Sequence, residues 1–375
     1  MESENLYLTR QRKLAAALQN ASFDALVLNP GPSLKYLTGL EFHLSERPVA
    51  AILIPNEPVA LVLPELELAK TNQPQFPLQT YPYGENPSTW NGVFKQALQA
   101  AKIIRKSRVG IEPRSLRILE FQLIQSSYPQ AEFRSAETEL ADLRMRKDEG
   151  ELSAIRKAVD IAQVALRATL PLISIGMTER ELASELVLQL FRAGSDPNLP
   201  FFPIVSSGPN SANPHASPTD RRLAAGDLLV IDWGASCLGY CSDITRTFAL
   251  GAPTSEESRI AEIVLQANTA GRVAAQPGYP ASRVDLAARS VIELAGYGKF
   301  FTHRTGHGLG MEGHEPPYIR SDNMLELKPG MVFTIEPGIY LPGRNGVRIE
   351  DNVVITETGS ACLTDLPREL MVIPS

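Results

Sequence analysis

The sequence is short of cysteine and has no long apolar run. Three cysteines in 375 residues, Cys237, Cys241 and Cys362, make an odd, small set. They cannot form a disulfide framework and suit the reduced thiols of a cytoplasm. Cys237 and Cys241 would supply only half of a zinc site, which normally takes four ligands, and no second close pair accompanies them. No apolar stretch approaches the ~18 residues needed to span a bilayer, and the longest, such as Pro48 to Pro55, are strand-sized. The opening MESENLYLTR is polar and acidic, so neither a signal peptide nor a membrane partner is expected. Basic excess is also missing: 36 Lys and Arg face 42 Asp and Glu, a net charge of −6. That argues against nucleic acid as the main partner, leaving room only for a local basic patch. Tryptophan occurs twice, and Trp90 sits in a turn-like STWNG, where a core or surface role is favoured over a reach into a partner's site.

A hydrophobic fraction of 43% with 21% charged residues is that of a folded globular chain, and the length suggests two domains. Residues 1–140 alternate helical patterns with short β-rich runs. Leu6 to Asn20, Thr89 to Lys102 and Leu116 to Ser127 read as helices; Asp24 to Asn29, Ala50 to Ile54, Val59 to Leu63 and Arg108 to Ile111 read as strands. This predicts a small layered α/β domain. A charge-rich stretch, Arg144 to Glu151, marks the boundary region. It leads into a helix with Leu152, Ile155, Val159, Ala162 and Leu166 on one face. Thr178 with Glu181, and Thr254 with Glu257, form capping boxes for two further helices, and Ser282 is expected to open a fourth. Leu228 to Trp233 and Asp243 to Leu250 read as a hairpin, with Met331 to Glu336 and Val347 to Ile355 as further strands. The order alternates less simply than βαβα, so residues 141–375 are expected to be α+β.

The chemistry concentrates in the second half. Four of the five histidines, His215, His303, His307 and His314, lie there, three of them in the glycine-rich THRTGHGLGMEGHEPP. Glycines let the backbone turn sharply and approach a ligand closely, so this segment suits a site loop better than a core. Asp232, Asp243, Glu336 and Glu350 sit in apolar strand-like contexts, where a carboxylate is costly unless paired or metal-bound. Arg246 and Arg348 are the obvious neutralising cations, too few for four carboxylates. Asp232 and Asp243 are eleven positions apart across a hairpin, and Glu336 and Glu350 fourteen apart across a second turn, so all four can meet one centre, with His307 adding a nitrogen. Such a set suits two oxygen-loving cations. Two metals about 3.5–4 Å apart generate hydroxide at neutral pH and polarise a carbonyl. Spacing alone leaves two readings open, a dinuclear hydrolase and a set of buried ion pairs.

The motifs NPHASP (Asn213 to Pro218), DWGASCLGYCSDITRTF (Asp232 to Phe248), HRTGHGLGMEGHEPP (His303 to Pro317), TIEPGIY (Thr334 to Tyr340) and VRIEDNVVIT (Val347 to Thr356) occur in the order found in the pita-bread metallopeptidases. The second half resembles that family, which includes aminopeptidase P, prolidase, methionine aminopeptidase and creatinase. The first half, with PSLKYLTG (Pro32 to Gly39), resembles the creatinase/prolidase amino-terminal domain. The resemblance implies a creatinase/prolidase-like domain over 1–140 and a pita-bread catalytic domain over 141–375. It implies that Asp232, Asp243, His307, Glu336 and Glu350 hold two divalent ions, Mn²⁺ first and Co²⁺ or Zn²⁺ as alternatives, with Asp243 and Glu350 bridging. Glu336 would also handle the proton of the bridging water. His215 and His303 would line the pocket for the residue after the scissile bond, and His314 would stabilise the tetrahedral intermediate. Tyr340 and Arg348 would face substrate, although Arg348 also reads as a supporting partner of Glu350.

The long amino-terminal domain favours enzymes of Xaa-Pro bonds over simple methionine aminopeptidases. Proline makes the bond a tertiary amide without an N–H, which calls for a dedicated pocket. The leading expectation is an Xaa-Pro aminopeptidase using a metal-bridged hydroxide. The alternative is an Xaa-Pro dipeptidase (prolidase), which differs in how the far end of the pocket is closed. A relaxed aminopeptidase, a non-catalytic peptide-binding relative and a phosphoester side activity rank below. The resemblance also implies a proline-containing peptide as partner and a homodimer.

Overall fold

The computed structural model describes residues 5–101 and 107–374. The chain divides into two compact units, the first ending at Arg144 and the second starting at Met145.

The first unit contains α1 (Leu6–Asn20), β1 (Ala25–Leu28), α2 (Pro32–Thr38), β2 (Ala50–Leu53), β3 (Val59–Pro64), β4 (Leu78–Tyr83), α3 (Trp90–Ala100), β5 (Arg108–Ile111), α4 (Ile118–Ser127) and β6 (Glu132–Ser135), and α5 (Glu137–Met145) follows at its end. Its six strands lie in the order β4-β3-β2-β1-β5-β6. Pairs β3–β4, β1–β5 and β5–β6 are parallel, and β1–β2 and β2–β3 antiparallel. Phe94, Ala97 and Leu98 of α3 and Leu123 and Ile124 of α4 pack on Val27, Ile52 and Val62 of the sheet, giving the expected layered α/β arrangement. The helix read as Thr89 to Lys102 is observed over Trp90–Ala100, and Lys102 lies outside the described residues. Trp90 packs on the Tyr83 ring at a centroid distance of 5.3 Å, a structural role within its own unit.

The second unit opens with α6 (Glu149–Thr169) and α7 (Glu179–Arg192), followed by β7 (Ile204–Ser207), β8 (Leu228–Trp233), β9 (Ser236–Cys237), β10 (Tyr240–Cys241) and β11 (Ile244–Leu250). Then come α8 (Ser255–Ala274), α9 (Ala281–Leu294), β12 (Gly306–Gly308), β13 (Glu315–Ile319), β14 (Val332–Ile335), β15 (Gly338–Leu341), β16 (Asn345–Arg348), β17 (Asp351–Ile355), β18 (Ser360–Cys362) and β19 (Met371–Ile373). One sheet runs β19-β11-β8-β7 and another β13-β12-β14-β17-β18, with β15 and β16 paired separately. No helix among the described residues is long and apolar enough to cross a membrane.

Capping boxes open α7 and α8 as their sequences predict, and Asp148 with Glu151 forms a third at α6. Helix α9 departs from expectation: it starts at Ala281 after Pro280, and Ser282 lies inside it rather than capping it. Strand alternation sets the site's direction. Leu229, Ile231 and Trp233 of β8 pack into the core with Val159, Leu166, Leu182 and Leu186 of α6 and α7. Asp232, at the alternate parity, therefore points to the opposite face, directly across from Thr245 of β11. Between them the tight β9–β10 hairpin turns at Leu238 and Gly239, with φ of 54° and 79°, as a two-residue turn with two left-handed positions requires.

The run Val347 to Ile355, read as one strand, is two. Arg348 ends β16, Asp351 begins β17, and the two belong to different sheets. Likewise Asp243 sits just before β11, and Glu336 just after β14. Three of the four carboxylates thus occupy strand breaks, where the backbone is released from the pleat and a side chain can be re-aimed.

Gly306 opens β12 beside the site, and a Cβ there would run into the Thr334 carbonyl. Backbone cannot yield as a side-chain tip does. Gly306→Ala is expected to destabilise the protein by about 3 kcal/mol, the upper range for overpacking, read as a lower midpoint in urea. Wild-type stability would show that β12 can shift away.

A candidate metal centre

The five expected ligands converge. Asp232, Asp243 and Glu350 bring carboxylate oxygens within 4.8 Å of one another; so do ligand atoms of His307, Glu336 and Glu350, and those of Asp243, His307 and His314. Glu350 belongs to the first two groups and Asp243 to the first and third. His307 sits in β12, with Nε2 at 3.5 Å from both Asp243 Oδ2 and Glu336 Oε1. Its Nδ1 lies 3.1 Å from the Gly308 carbonyl. A carbonyl only accepts, so Nδ1 carries the proton and the Nε2 lone pair faces the carboxylates.

Neutral donors steady these groups. Thr245 Oγ1 donates to Glu350 Oε2 at 2.6 Å. Thr334 Oγ1 accepts from the His307 N–H at 3.1 Å and donates to Glu336 Oε1 at 3.4 Å. The Asn352 side chain accepts from the Asp243 N–H and donates to the Asp243 carbonyl, clamping that residue's backbone.

The electrostatics are those of crowded like charges. Burial, then Glu350, Asp232 and Glu336, push the Asp243 carboxyl well above the usual range. Burial, then Glu336 and Asp232, do the same to Glu350. Burial raises Glu336 to about 8, opposed by Arg348. Burial, then the neighbouring His314, holds His307 well below its ordinary value and therefore neutral. Oδ1 of Asp232 and Oδ1 of Asp243 are buried without a hydrogen-bond partner among the described residues. Oxygen donors that are buried, unpartnered and mutually repelling, together with one neutral imidazole, fit divalent cations of the Mn²⁺, Co²⁺ or Zn²⁺ type.

Arg348 corrects an expectation. Its Nη2 donates to Asp232 Oδ2 at 2.6 Å, so the carboxylate it pairs with is Asp232, not Glu350. Nε reaches Thr245 Oγ1 at 3.0 Å, and Nη1 the Tyr340 hydroxyl at 3.0 Å and the Pro214 carbonyl at 3.1 Å. Tyr340 also departs from its expected place facing substrate: it is 4% exposed, and its hydroxyl lies 2.9 Å from His303 Nε2. His303 Nδ1 lies 2.7 Å from the Arg304 carbonyl and so holds the proton. Tyr340 therefore donates to Nε2 and accepts from Arg348, completing a chain Asp232–Arg348–Tyr340–His303. Burial, then Arg348, lowers His303 to about 3, and burial lifts the Tyr340 phenol to about 12. His303 and Tyr340 both stay neutral around pH 7.

The carboxylates lie in the wall of a cavity of about 1030 Å³ that also exposes His215, His303, His314 and Arg348. The rings of His314 and His307 meet edge to face at 3.9 Å. Sequence reasoning missed an apolar stretch of this wall, Pro200, Phe201, Phe202 and Ile204, and two cations, Arg180 and Arg304. Phe202 is 58% exposed, a sign visible only in three dimensions. Thr245 was within reach of sequence, since strand alternation in a hairpin sets it opposite Asp232.

A cavity walled by four crowded carboxylates, two of them with a buried unpartnered oxygen, and by histidines is suited to a metal-dependent hydrolase. Residues 153–357 match the model of metallopeptidase family M24, and residues 10–146 that of the creatinase/prolidase amino-terminal domain. An Xaa-Pro dipeptidase of Pyrococcus horikoshii is 36% identical over 96% of this chain and 98% of its own. A prolidase structure from Thermococcus sibiricus superposes with a TM-score of 0.92 at 34% identity, covering 98% of this chain and 99% of that one. An X-Pro aminopeptidase structure from Thermotoga maritima gives 0.85 at 32%, covering 97% and 99%. The chain belongs to metallopeptidase family M24: it is a peptidase with a pita-bread catalytic domain and a creatinase-type amino-terminal domain. Membership implies divalent metal and removes the non-catalytic reading.

In the metal-free protein Glu336 titrates near 8 when folded and near 4.5 when unfolded. Its folded value is the higher one, so its stabilising contribution is complete below about 4.5 and is lost as pH rises through about 8. The buried histidines act oppositely, but only below their ordinary value of 6.5. Between pH 6.5 and 8 the metal-free Tm is therefore expected to fall, and Glu336→Gln is expected to flatten the fall. A metal-free Tm that climbs across that window in both proteins would refute this account.

Proposed function

We propose that the chain is a metal-dependent exopeptidase that hydrolyses the Xaa-Pro bond at the amino terminus of short peptides. The observation carrying this reading is the pair of three-residue groups that share Glu350 in the wall of the cavity. Asp232, Asp243, His307, Glu336 and Glu350 would hold two divalent ions, with Asp243 and Glu350 shared between them. Such ions, when bound, lower the pKa of water and polarise the scissile carbonyl. The chain's own groups do the rest. Glu336, held by Thr334 Oγ1 at the rim of the carboxylate cluster, is placed to take and return a proton. His314 and His215 reach the cavity from separate loops and supply hydrogen bonds to the substrate backbone. Arg348 orients Asp232 and, through Tyr340, the His303 ring that faces the substrate. The wall of Pro200, Phe201, Phe202 and Ile204 suits a pyrrolidine ring, which has no N–H to satisfy.

The relatives' names support the dipeptidase as well as the aminopeptidase expected from sequence: the Pyrococcus relative and the Thermococcus structure carry dipeptidase and prolidase names. The Thermotoga structure carries an aminopeptidase name. Catalysis is assigned to residues 141–375, with 1–140 as a separate domain. Mn²⁺ as the first metal, a homodimer and a cytoplasmic location belong to the same proposal.

Metal-stripped protein reloaded with Mn²⁺, Co²⁺ or Zn²⁺ is expected to cleave Xaa-Pro dipeptides, with far less turnover of Xaa-Pro-Yaa and none of Xaa-Ala-Yaa. Preference for the tripeptide would instead make it the aminopeptidase; inactivity on every proline peptide with metal bound would sink the reading. Asp243→Asn is expected to lower kcat at least ~100-fold, as loss of a shared ligand demands. It should also raise the metal-free Tm, because an amide carries neither the charge nor the enforced protonation that burial and the neighbouring carboxylates impose on Asp243.

A further inference from the structure

Helix α8 carries an asparagine that nothing above uses. Asn268 is fully buried in mid-helix, where asparagine is a poor helix former and a buried amide must find partners. Its Nδ2 donates to the Ile335 carbonyl at 2.9 Å and to the Ile349 carbonyl at 3.3 Å. Ile335 and Ile349 are the residues immediately before Glu336 and Glu350. Both lie at the breaks, where β14 ends and where β16 gives way to β17. On the other side of the same two peptide planes, the Glu336 N–H donates to Thr305 O at 2.8 Å and the Glu350 N–H to Thr245 O at 3.1 Å. The planes that aim the two glutamates are thus held at both ends, and Asn268 is the member they share.

Two neighbours fix the amide. Arg368 Nη1 donates to Asn268 Oδ1 at 2.8 Å, and since a guanidinium has only donors, Nδ2 must face the carbonyls. One turn along, Gly271 lets α8 approach β14 closely: a Cβ there would sit 2.9 Å from Ile335 Cγ2.

We infer that Asn268 is a positioning residue of the metal centre, one side chain that sets the spacing of Glu336 and Glu350 by tying together the two peptide planes preceding them. This rests on the metal-binding reading proposed above. It acts on backbone rather than on ligand oxygens, so its loss should loosen the site without removing a ligand.

Asn268→Asp keeps the shape and the acceptor for Arg368 but removes both donors. Calorimetric titration of the metal-free protein with Mn²⁺ is expected to show binding weakened about 10-fold or more, the usual consequence of losing support behind a ligand. Hydrogen exchange at the Glu336 and Glu350 amides should quicken before any metal is added. Arg368→Gln, on a partly exposed segment, frees the amide to turn and should weaken Mn²⁺ in the same direction by less. Val264→Ala, in the buried face of the same helix, should lower Tm and leave Mn²⁺ affinity unchanged. Wild-type affinity in folded Asn268→Asp and Arg368→Gln would overturn this inference alone, as would equal weakening by Val264→Ala. A wild-type chain that binds no Mn²⁺, Co²⁺ or Zn²⁺ would overturn it together with the metal reading.

Discussion

Mutual repulsion among buried carboxylates governs this structure. Asp243, Glu336 and Glu350 are each driven toward protonation by burial first and then by neighbouring carboxylates, Asp232 among them in every case. Among the described residues, Arg348 is the guanidinium bonded to these four carboxylates, and it is committed to Asp232. A fold left to relax would move such groups apart or into water. Here they are kept in place by neutral donors that stabilise geometry without cancelling charge: the Thr245 and Thr334 hydroxyls and the Asn352 and Asn268 amides. Cancelling the charge with lysines or arginines would remove the affinity for a cation.

Strand breaks are the geometric counterpart of that electrostatic demand. Along an unbroken strand, side chains on one face recur at fixed spacing and stay parallel. Ligands for a compact centre must converge instead. Asp232 lies inside a regular strand, whereas Asp243, Glu336 and Glu350 sit where strands stop or change sheets. Each break frees backbone groups that a ladder would have satisfied, and each must be matched by another donor or acceptor. The supporting amides and hydroxyls therefore do two jobs, satisfying the released backbone and aiming the ligand.

This explains which features sequence reveals. The four carboxylates stand out because each interrupts an apolar run, and the capping boxes at Thr178 and Thr254 because both partners lie within four residues. The Asp232–Asp243 hairpin is legible because alternation and turn chemistry are local. The break at Ile349–Glu350 is not legible: Glu-Asp-Asn weakens the strand pattern of VRIEDNVVIT, but nothing local says that its two sides pair in different sheets. Arg348's choice of Asp232, 116 positions away, and the withdrawal of Tyr340 behind His303 are likewise tertiary facts. Asn268 carries no sequence signal of its own, because a buried asparagine in a helix looks like a surface one until the strands beneath it are placed.

The same repulsion couples function to stability. A ligand that binds only the folded state stabilises it by RT ln(1 + [L]/Kd), roughly 2.7 kcal/mol at a hundredfold excess over Kd. A dication entering this cluster supplies that term and also turns the carboxylate repulsion into attraction. The metal-free fold carries its crowded carboxylates at a cost, which a bound dication would recover. Substitutions that ease the metal-free state, by removing a carboxylate, trade catalysis for stability. Substitutions that release the supporting amides act the other way around the same balance, leaving every ligand present but no longer held against its neighbours' charge. Rigidity in this protein is thus a requirement of its electrostatics, and the helix beneath the strand breaks is part of the centre although it contributes no ligand.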